Sequence, residues 1–416
     1  MSTPRPRMRI EAVTEAARVT PLELFFDLVF VFALTQITAF MAVDLTPTSV
    51  LRGLLVLSML WWCWVGYSWL GNIVRADEGV GRVAMFGAMA AMFVVALSIP
   101  EAFVDLDGGL PGPVVFVLAY LAVRLLHLAI FWLAAADDPG LRRQLLRFAP
   151  SVVGGTGLLL VASQLEGRAQ TLAWAAALLA EYLGTVLSGA SGWRVRSASH
   201  FAERHGLVLI VALGESIVAI GVGVTDLAIS WPIVVASILG LAVAGALWWA
   251  YFDVVALVAE RVLHAAEGEQ QARLARDSYS FLHLPMIAGV LLLALGLKKE
   301  LEYVGDTSRH ELTDALGLLP SSALYGGVTL YLLAHVAFRY RNVHSVNIQR
   351  VVVAAVLLAL LPVAVRIPAL AALGLLTAIL SGLIAFEAVH FAGVRERVRH
   401  EGDAAVSVFA RSAEAE

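Results

Sequence analysis

Two carboxylates stand at the start of a long apolar segment near the beginning of this sequence. The segment PLELFFDLVFVFALTQ begins at Pro21 and carries Glu23, Asp27 and Gln36. Residues four apart share a helix face, so Glu23 and Asp27 point the same way and Gln36 points elsewhere. Pro21 and the first-turn acid Glu23 favour a helix start at the membrane surface. Asp27 lies one turn deeper, where its spacing predicts ion pairing or proton chemistry.

Other ionisable side chains interrupt the apolar segments further along the chain. Each charge inside a membrane costs a few kcal/mol, and so requires a partner, water or a function. Besides Asp27, the ionisable positions singled out within apolar segments are Arg124, His127, Glu181, Glu215, Asp253 and His335.

Arg124 and His127 form one polar stripe with Tyr120, since the three are spaced by three and four residues. Arg124 cannot shed its proton and needs an acidic partner. The candidate partners are Asp27, Glu181 and Glu215. Pairing with Arg124 would give Asp27 a structural role as a lock between helices. Contact with water would instead give it a functional role as a gate. Histidines in such segments relay protons or, more often, satisfy local hydrogen bonds.

The elements that position these residues are membrane-spanning helices. Of the 416 residues, 60% are hydrophobic and 15% charged, and the mean hydropathy is +0.81, which is typical of a polytopic membrane protein rather than a soluble domain. About 20 apolar residues cross a bilayer core as a helix. Twelve segments fit this rule: 21–43, 49–71, 83–100, 112–135, 147–165, 170–189, 205–223, 231–257, 281–297, 320–338, 350–366 and 368–391.

Positive charge indicates the orientation of these spans. Arg is concentrated in every second loop, whereas the early alternate loops VDLTPTS and EAFVDLDGGLPGP have no Lys or Arg. Because cytoplasmic loops are enriched in these residues, we expect a multi-pass plasma-membrane protein with both termini in the cytoplasm. The loop 298–319 carries Lys298 and Lys299 and is expected to form a small folded cap.

Weak similarities in matching order relate the two halves of the chain. ELFFDLVFVFALTQI from Glu23 compares with ERHGLVLIVALGESI from Glu203, and the Trp-rich stretches at Trp61 and Trp248 correspond. These similarities predict two parallel six-helix repeats with a pathway between them. The predicted regions are a cytoplasmic leader at 1–20, repeats at 21–195 and 196–392, and a cytoplasmic tail at 393–416.

Several function classes lack their signatures. The sequence has no Walker loop, no G-x-S-x-G and no H-E-x-x-H motif, so we predict no enzyme activity and no cofactor. His200 and His205 are five residues apart and do not stack on one helical face, which disfavours a metal site. Basic residues are scattered, and a nucleic-acid partner is not expected.

Six motifs together resemble the bacterial low temperature requirement A (LtrA) family. In chain order they are PLELFFDLVFVFALTQ, WWCWVGYSWLGN, AMFVVALSIPEAF, AERHGLVLIVALGESIVAIG, LWWAYFD and FLHLPMIAGVLLLALG. The resemblance implies a polytopic membrane protein associated with growth at low temperature, without an assigned activity. The positions that match the family signature are Glu23, Asp27, Gln36, Glu203, Arg204, His205, Glu215, His283 and Pro285.

A remoter resemblance concerns FFDLVFVFALT. It is similar to the motif FSDGVFAIAIT of potassium channels of the transmembrane-protein-175 type, which also contain two six-helix repeats. Asp27 matches the motif's Asp, but Phe26 and Leu28 replace its Ser and Gly, and the second half has His205 or Gly206 where an Asp is expected.

The sequence is interpreted as a proton-coupled transporter of an unknown solute, using the buried acids Asp27, Glu181 and Glu215. Buried acids outnumber the obligatory cation, which favours a proton or cation over an anion. The alternatives are a passive cation channel, with a constriction near Phe30 or Leu34, a membrane enzyme acting on lipid, for which the sequence offers no nucleophile or metal site, and a non-transporting structural or signalling protein. The expected partners are the lipid bilayer, a proton or cation and an unknown solute, and a homo-oligomer is left open.

Overall fold

The computed structural model describes residues 18–75, 77–225 and 227–400. This part of the chain is predominantly helical and contains no β-strand. The prediction of an all-α polytopic membrane protein is therefore confirmed. Most of the predicted leader and the end of the predicted tail, residues 1–17 and 401–416, lie outside the described residues.

The helices follow one another mostly with short connections, and the longer ones are 98–111 and 306–317. They are α1 (Pro21–Val43), α2 (Pro47–Gly71), α3 (Gly79–Leu97), α4 (Gly112–Ala134), α5 (Pro139–Ala162), α6 (Gly167–Ser188), α7 (Ala198–Gly223), α8 (Trp231–Phe252), α9 (Val255–Ala265), α10 (Gly268–Leu274), α11 (His283–Gly305), α12 (Leu318–Val343), α13 (Ile348–Ala364), α14 (Ala369–His390) and α15 (Ala392–His400). A π-helical turn, Ala275–Phe281, leads into α11.

Eleven helical segments in the described residues are long and apolar enough to cross a membrane, and α13 is a shorter apolar helix. Large apolar side chains are exposed along them, among them Leu187 and Val43 at 82% and 80%. Such surfaces are stable in lipid and unfavourable in water. The exact number of crossings stays a prediction.

Several predicted boundaries differ from the structure, and the span predicted at 147–165 begins eight residues earlier, at Pro139. The span predicted at 205–223 begins earlier, at Ala198, and the span predicted at 281–297 continues to Gly305. The expectation of a cap starting at residue 298 was therefore wrong for its first part. Hydropathy ends the span at Lys298, but Lys299 forms an ion pair with Glu302 at 2.8 Å, three residues on, which supports a continuing helix.

Local side-chain bonds fix where key helices begin. Thr20 and Glu23 form a capping box at α1: the Thr20 N–H donates to Glu23 Oε2 at 2.9 Å, and the Glu23 N–H donates to Thr20 Oγ1 at 3.3 Å. Asp138 and Asn347 cap α5 and α13 by accepting from the backbone N–H three residues on. These caps set the register in which the polar side chains enter the bundle.

The chain divides into two compact units. The first contains 18–36, 55–204 and 267–273, and the second contains 37–54, 205–266 and 274–400. This division does not test the predicted repeats at 21–195 and 196–392 or the pathway between them, which stay predictions.

Close helix contacts in each unit depend on small residues. In the first unit, α5 and α6 meet where a Cβ on Gly184 would lie 2.2 Å from Ser151 Cβ. In the second, α11 and α12 meet where a Cβ on Gly289 would lie 2.6 Å from the Gly327 carbonyl oxygen. Glycine allows such approach, as is common in membrane helix pairs.

Candidate functional site

Five side chains of the first unit form a buried polar cluster, here called the acid–arginine cluster. Glu23 and Asp27 come from one face of α1, Trp64 from α2, and His200 and Arg204 from one face of α7. None of the five is more than 2% exposed. A pair of acids four residues apart thus meets a pair of basic residues with the same spacing.

Asp27 uses only one of its two carboxylate oxygens. Its Oδ1 accepts from Trp64 Nε1 at 2.8 Å and from Arg204 Nη2 at 3.0 Å. Its Oδ2 is buried and has no hydrogen-bond partner among the described residues. The guanidinium of Arg204 also lies over the Trp64 ring, 5.4 Å from its centre. Asp27 therefore keeps an acceptor atom available inside the protein.

Glu23 both caps its helix and joins the cluster. His200 Nε2 lies 3.0 Å from Glu23 Oε1, and Arg204 Nη1 lies 3.5 Å from the same oxygen. The capping role expected at a membrane surface is present, but the carboxylate is only 1% exposed. Arg204 consequently bridges both acids of α1.

The hydrogen bonds of Asn72 indicate the tautomer of His200. Asn72 Oδ1 accepts from the Arg196 N–H at 2.7 Å, so its Nδ2 is the donor that reaches the Ser197 carbonyl at 2.7 Å. The same Nδ2 lies 3.3 Å from His200 Nδ1, which must accept. His200 is then a neutral imidazole that donates from Nε2 to Glu23.

The charges of this cluster do not balance. Two carboxylates face one guanidinium and one neutral imidazole, which leaves one negative charge in excess when both acids are ionised. Uncompensated charge in a buried site is strongly unfavourable. A proton on Asp27 Oδ2 would restore neutrality at the one carboxylate atom that lacks a donor.

A second cluster in the first unit is balanced. Arg124 Nη2 lies 3.3 Å from Glu181 Oε2, and the Tyr120 hydroxyl donates to Glu181 Oε1 at 2.7 Å. Arg124 and Glu181 are both fully buried. Of the three acids proposed for Arg124, the structure brings Glu181 to it, and Asp27 meets Arg204 instead.

His127 has a local structural environment. Its Nε2 lies 3.0 Å from the Gly66 carbonyl oxygen, and its ring packs against Tyr67 and Phe131 at 5.5 and 4.9 Å between centres. The stripe predicted for α4 is present, but His127 bonds to α2 backbone rather than to an ionisable group.

The second unit gathers His205 and His283 with two tyrosines. His205 and His283 lie 5.2 Å apart between ring centres, and Tyr279 stacks on His283 at 5.4 Å. His283 Nδ1 lies 3.2 Å from the Ser278 carbonyl oxygen and so donates, which leaves Nε2 to accept from the Tyr251 hydroxyl at 2.9 Å. The π-helical turn before α11 provides this backbone oxygen, and such turns are frequent at functional sites.

Asp253 lines a polar cavity in the second unit, and His335 contacts Arg350, which also lines it. Arg350 makes two bonds to Glu387, at 2.8 and 2.7 Å, and lies 2.8 Å from His335 Nδ1. Asp253 accepts from Arg395 at 2.7 Å. Both ion pairs line a cavity of about 50 Å³.

The remaining predicted positions lie on the same helices. Gln36 is half-buried on α1, Glu203 is exposed and accepts from the Val19 N–H at 3.3 Å, and Glu215 is buried within α7. No group of three or more His, Cys, Asp or Glu in the described part of the chain could hold a metal ion.

Sequence reasoning missed Trp64 and His200 as partners of the α1 acids, and it missed Arg350 and Glu387. One signal for His200 was available, because His200 and Arg204 repeat on α7 the four-residue spacing of Glu23 and Asp27. Glu387 falls inside the last predicted span, where it is an ionisable residue by the same criterion that selected Asp27.

Comparisons with known proteins give one family and one curated relative. The family model of "Bacterial low temperature requirement A protein (LtrA)" matches residues 18–385. An uncharacterized protein of Rhizobium meliloti (strain 1021) is 27% identical over 298 residues, which cover 68% of this chain and 69% of the relative. No solved structure matches. The remoter likeness to potassium channels is not shown by these comparisons.

Proposed function

We propose, from the premise that this chain belongs to the bacterial low temperature requirement A (LtrA) family, that it is a proton-coupled transporter of the plasma membrane. Its polytopic helical fold supports a role within the bilayer. The observation that carries the proposal is the buried and unbonded Oδ2 of Asp27 in a cluster with one excess negative charge.

Proton binding at Asp27 would change which carboxylate attracts the Arg204 guanidinium. With Asp27 ionised, Arg204 is shared between Asp27 at 3.0 Å and Glu23 at 3.5 Å. With Asp27 neutral, the attraction from Asp27 weakens and Arg204 is left to Glu23. These two charge states supply the differential interaction that any coupled conformational change requires.

The Arg124–Glu181 pair has a different role in this proposal. It contains one acid and one base and keeps a tyrosine bond, so it is neutral as a pair. Removing either partner would leave an uncompensated buried charge, which makes the pair a structural lock between α4 and α6. Proton coupling is therefore assigned to Asp27 and not to Glu181.

The test is proton movement in proteoliposomes that contain a pH-sensitive dye. Amino acids, sugars, nucleosides, organic cations and alkali cations are added one at a time, and the internal pH is followed. We expect one class to change the internal pH with the wild-type protein and not with Asp27→Asn. Glu203→Gln is the matched control, because Glu203 is an exposed acid beside the same arginine.

Two results would contradict coupling through Asp27. The first is an unchanged solute-driven pH response in Asp27→Asn. The second is an ionic current in planar bilayers that needs no proton gradient, which would indicate the passive cation channel. Absence of both flux and current with folded wild-type protein would favour a structural or signalling role.

A further inference from the structure

Glu300 is a fully buried acid that lies outside the clusters described above. It stands on α11, five residues before the helix ends at Gly305, and its side chain is 0% exposed. Neither of its carboxyl oxygens has a hydrogen-bond partner among the described residues. A carboxylate in this position would have lost its hydration without gaining a donor.

Tightly packed helices of the second unit surround this acid. One turn before it, a Cβ on Gly296 would lie 2.7 Å from the Leu324 backbone nitrogen of α12. The neighbouring residues Leu297 and Leu301 are fully buried. On the α7 side, a Cβ on Gly223 would lie 2.8 Å from the Lys298 carbonyl oxygen. These close approaches and the 0% exposure of Glu300 place the acid in a densely packed part of the second unit.

The packed elements bring no compensating cation. The sequence of α8 has no ionisable acid or base apart from Tyr251 at its end, and α14 has only Glu387 and His390, near its opposite end. From α12, Tyr325 is close enough to Glu300 to interact with it electrostatically, but its hydroxyl donates to the Ala372 carbonyl at 2.7 Å.

The charged groups on α7 and α11 also leave Glu300 unpaired. Glu215 of α7 lies two turns before Gly223, and His205 lies further back. On α11 itself, Lys299 forms its ion pair with Glu302, and Lys298 is half-buried. No ion pair to Glu300 is present in the described part of the chain.

We propose that Glu300 is a proton-binding site of the second unit. The site favours the neutral carboxylic acid in the packed state, and it releases the proton when α11 and α12 separate enough to admit water. A proton fits better than a metal cation, which requires several oxygen ligands around it. In the predicted orientation this end of α11 faces the outside of the cell. The proposal does not rest on Asp27.

The test is infrared difference spectroscopy of the purified full-length protein in lipid, titrated with base. We expect a carbonyl band of a buried protonated carboxylic acid that disappears reversibly as the pH rises. The component of this band that belongs to Glu300 should be absent in Glu300→Gln and retained in Glu302→Gln, whereas a component from protonated Asp27 would be absent only in Asp27→Asn. Glu302 is the matched control, because it lies two residues on and is 38% exposed in its ion pair.

A third variant covers the case in which Glu300→Gln does not fold. Glu300→Asp retains a carboxylic acid, so it should shift the band rather than remove it. The proposal is overturned if the wild-type protein shows no such band, if the band does not respond to pH, or if Glu302→Gln removes it. Asp27→Asn should retain the Glu300 component of the band, which separates this result from the test of proton-coupled transport.

Discussion

The indole of Trp64 and the guanidinium of Arg204 both reach the same oxygen of Asp27. Two donors on one oxygen and none on the other make the carboxylate asymmetric, and they hold it in one orientation on α1. The asymmetry matters chemically, because a proton can be added at Oδ2 without breaking either existing bond. Trp64 is therefore a positioning residue for the acid.

Replacing Trp64 with phenylalanine should weaken the folded state. With Asp27 ionised, Trp64→Phe removes a hydrogen bond to a charged group, which is worth about 1.5–3 kcal/mol in the free energy of unfolding. The measurement is unfolding in mixed micelles titrated with a denaturing detergent. Trp174→Phe is the control, because Trp174 is a buried indole of the same unit that packs on Phe103 and Phe116. Equal losses of unfolding free energy in both variants would show that the Trp64 N–H bond to Asp27 does not contribute to stability.

Removing the charge of Arg204 alone should destabilise the folded protein more than removing the charges of Arg204 and Asp27 together. Arg204→Gln leaves Glu23 and Asp27 buried together, and breaking a buried pair in this way costs about 3–5 kcal/mol in unfolding free energy. The double variant Asp27→Asn with Arg204→Gln should recover part of that loss. The same unfolding titration checks it, and strictly additive losses would show that the two residues do not interact.

The residues of this site were only partly predictable. Helical periodicity puts Glu23 and Asp27 on one face, and burial makes Asp27 unusual, so both follow from sequence. The partner does not, because Arg204 is 177 residues away and helix pairing is decided by packing. By charge alone Arg124 was a suitable partner for Asp27, but in the structure Arg124 pairs with Glu181 at 3.3 Å.

At the scale of helices, the accuracy of a predicted helix end depends on whether a capping motif or hydropathy alone defines it. Where apolar periodicity and a cap coincide, as at α1 with its Thr20–Glu23 capping box, the predicted range 21–43 equals the observed one. Where polar residues lie within a continuing helix, hydropathy ends the prediction too early, as it does at Lys298 in α11. Helix-forming propensity and a local ion pair continue the helix beyond that point.

The α11–α12 pair provides a sharp test of helix packing. Gly289→Ala would place a Cβ 2.6 Å from the Gly327 carbonyl oxygen and 2.7 Å from the Tyr331 nitrogen, so the two backbones must move apart. Overpacking of this kind costs about 1–3 kcal/mol in unfolding free energy.

Gly326→Ala is the matched control for this pair. Gly326 lies in the middle of α12, and a Cβ there would meet nothing within 4 Å. Alanine is the better helix former, so this variant should leave unfolding unchanged or make it slightly harder. If both variants unfold alike in the detergent titration, the close approach of α11 and α12 does not contribute to stability.

At the scale of the whole molecule, composition determined the class of protein and the comparisons determined the family. A mean hydropathy of +0.81 cannot be accommodated in a soluble fold of this length. The family match covers residues 18–385, and so includes both polar clusters of the first unit and most of the second unit. Orientation follows from neither of these observations, because it depends on the positive charge of the loops.

The predicted orientation can be tested with single cysteines and a maleimide that does not cross membranes. Asp107 is exposed in the loop between α3 and α4, and Glu267 is exposed between α9 and α10. We expect Asp107→Cys to be labelled in intact cells and Glu267→Cys only after lysis, since the first loop is predicted outside and the second inside. The native Cys63 is buried and should stay unlabelled in both, which provides the background measurement. The reverse pattern would invert the topology, and the Glu300 end of α11 would then face the cytoplasm.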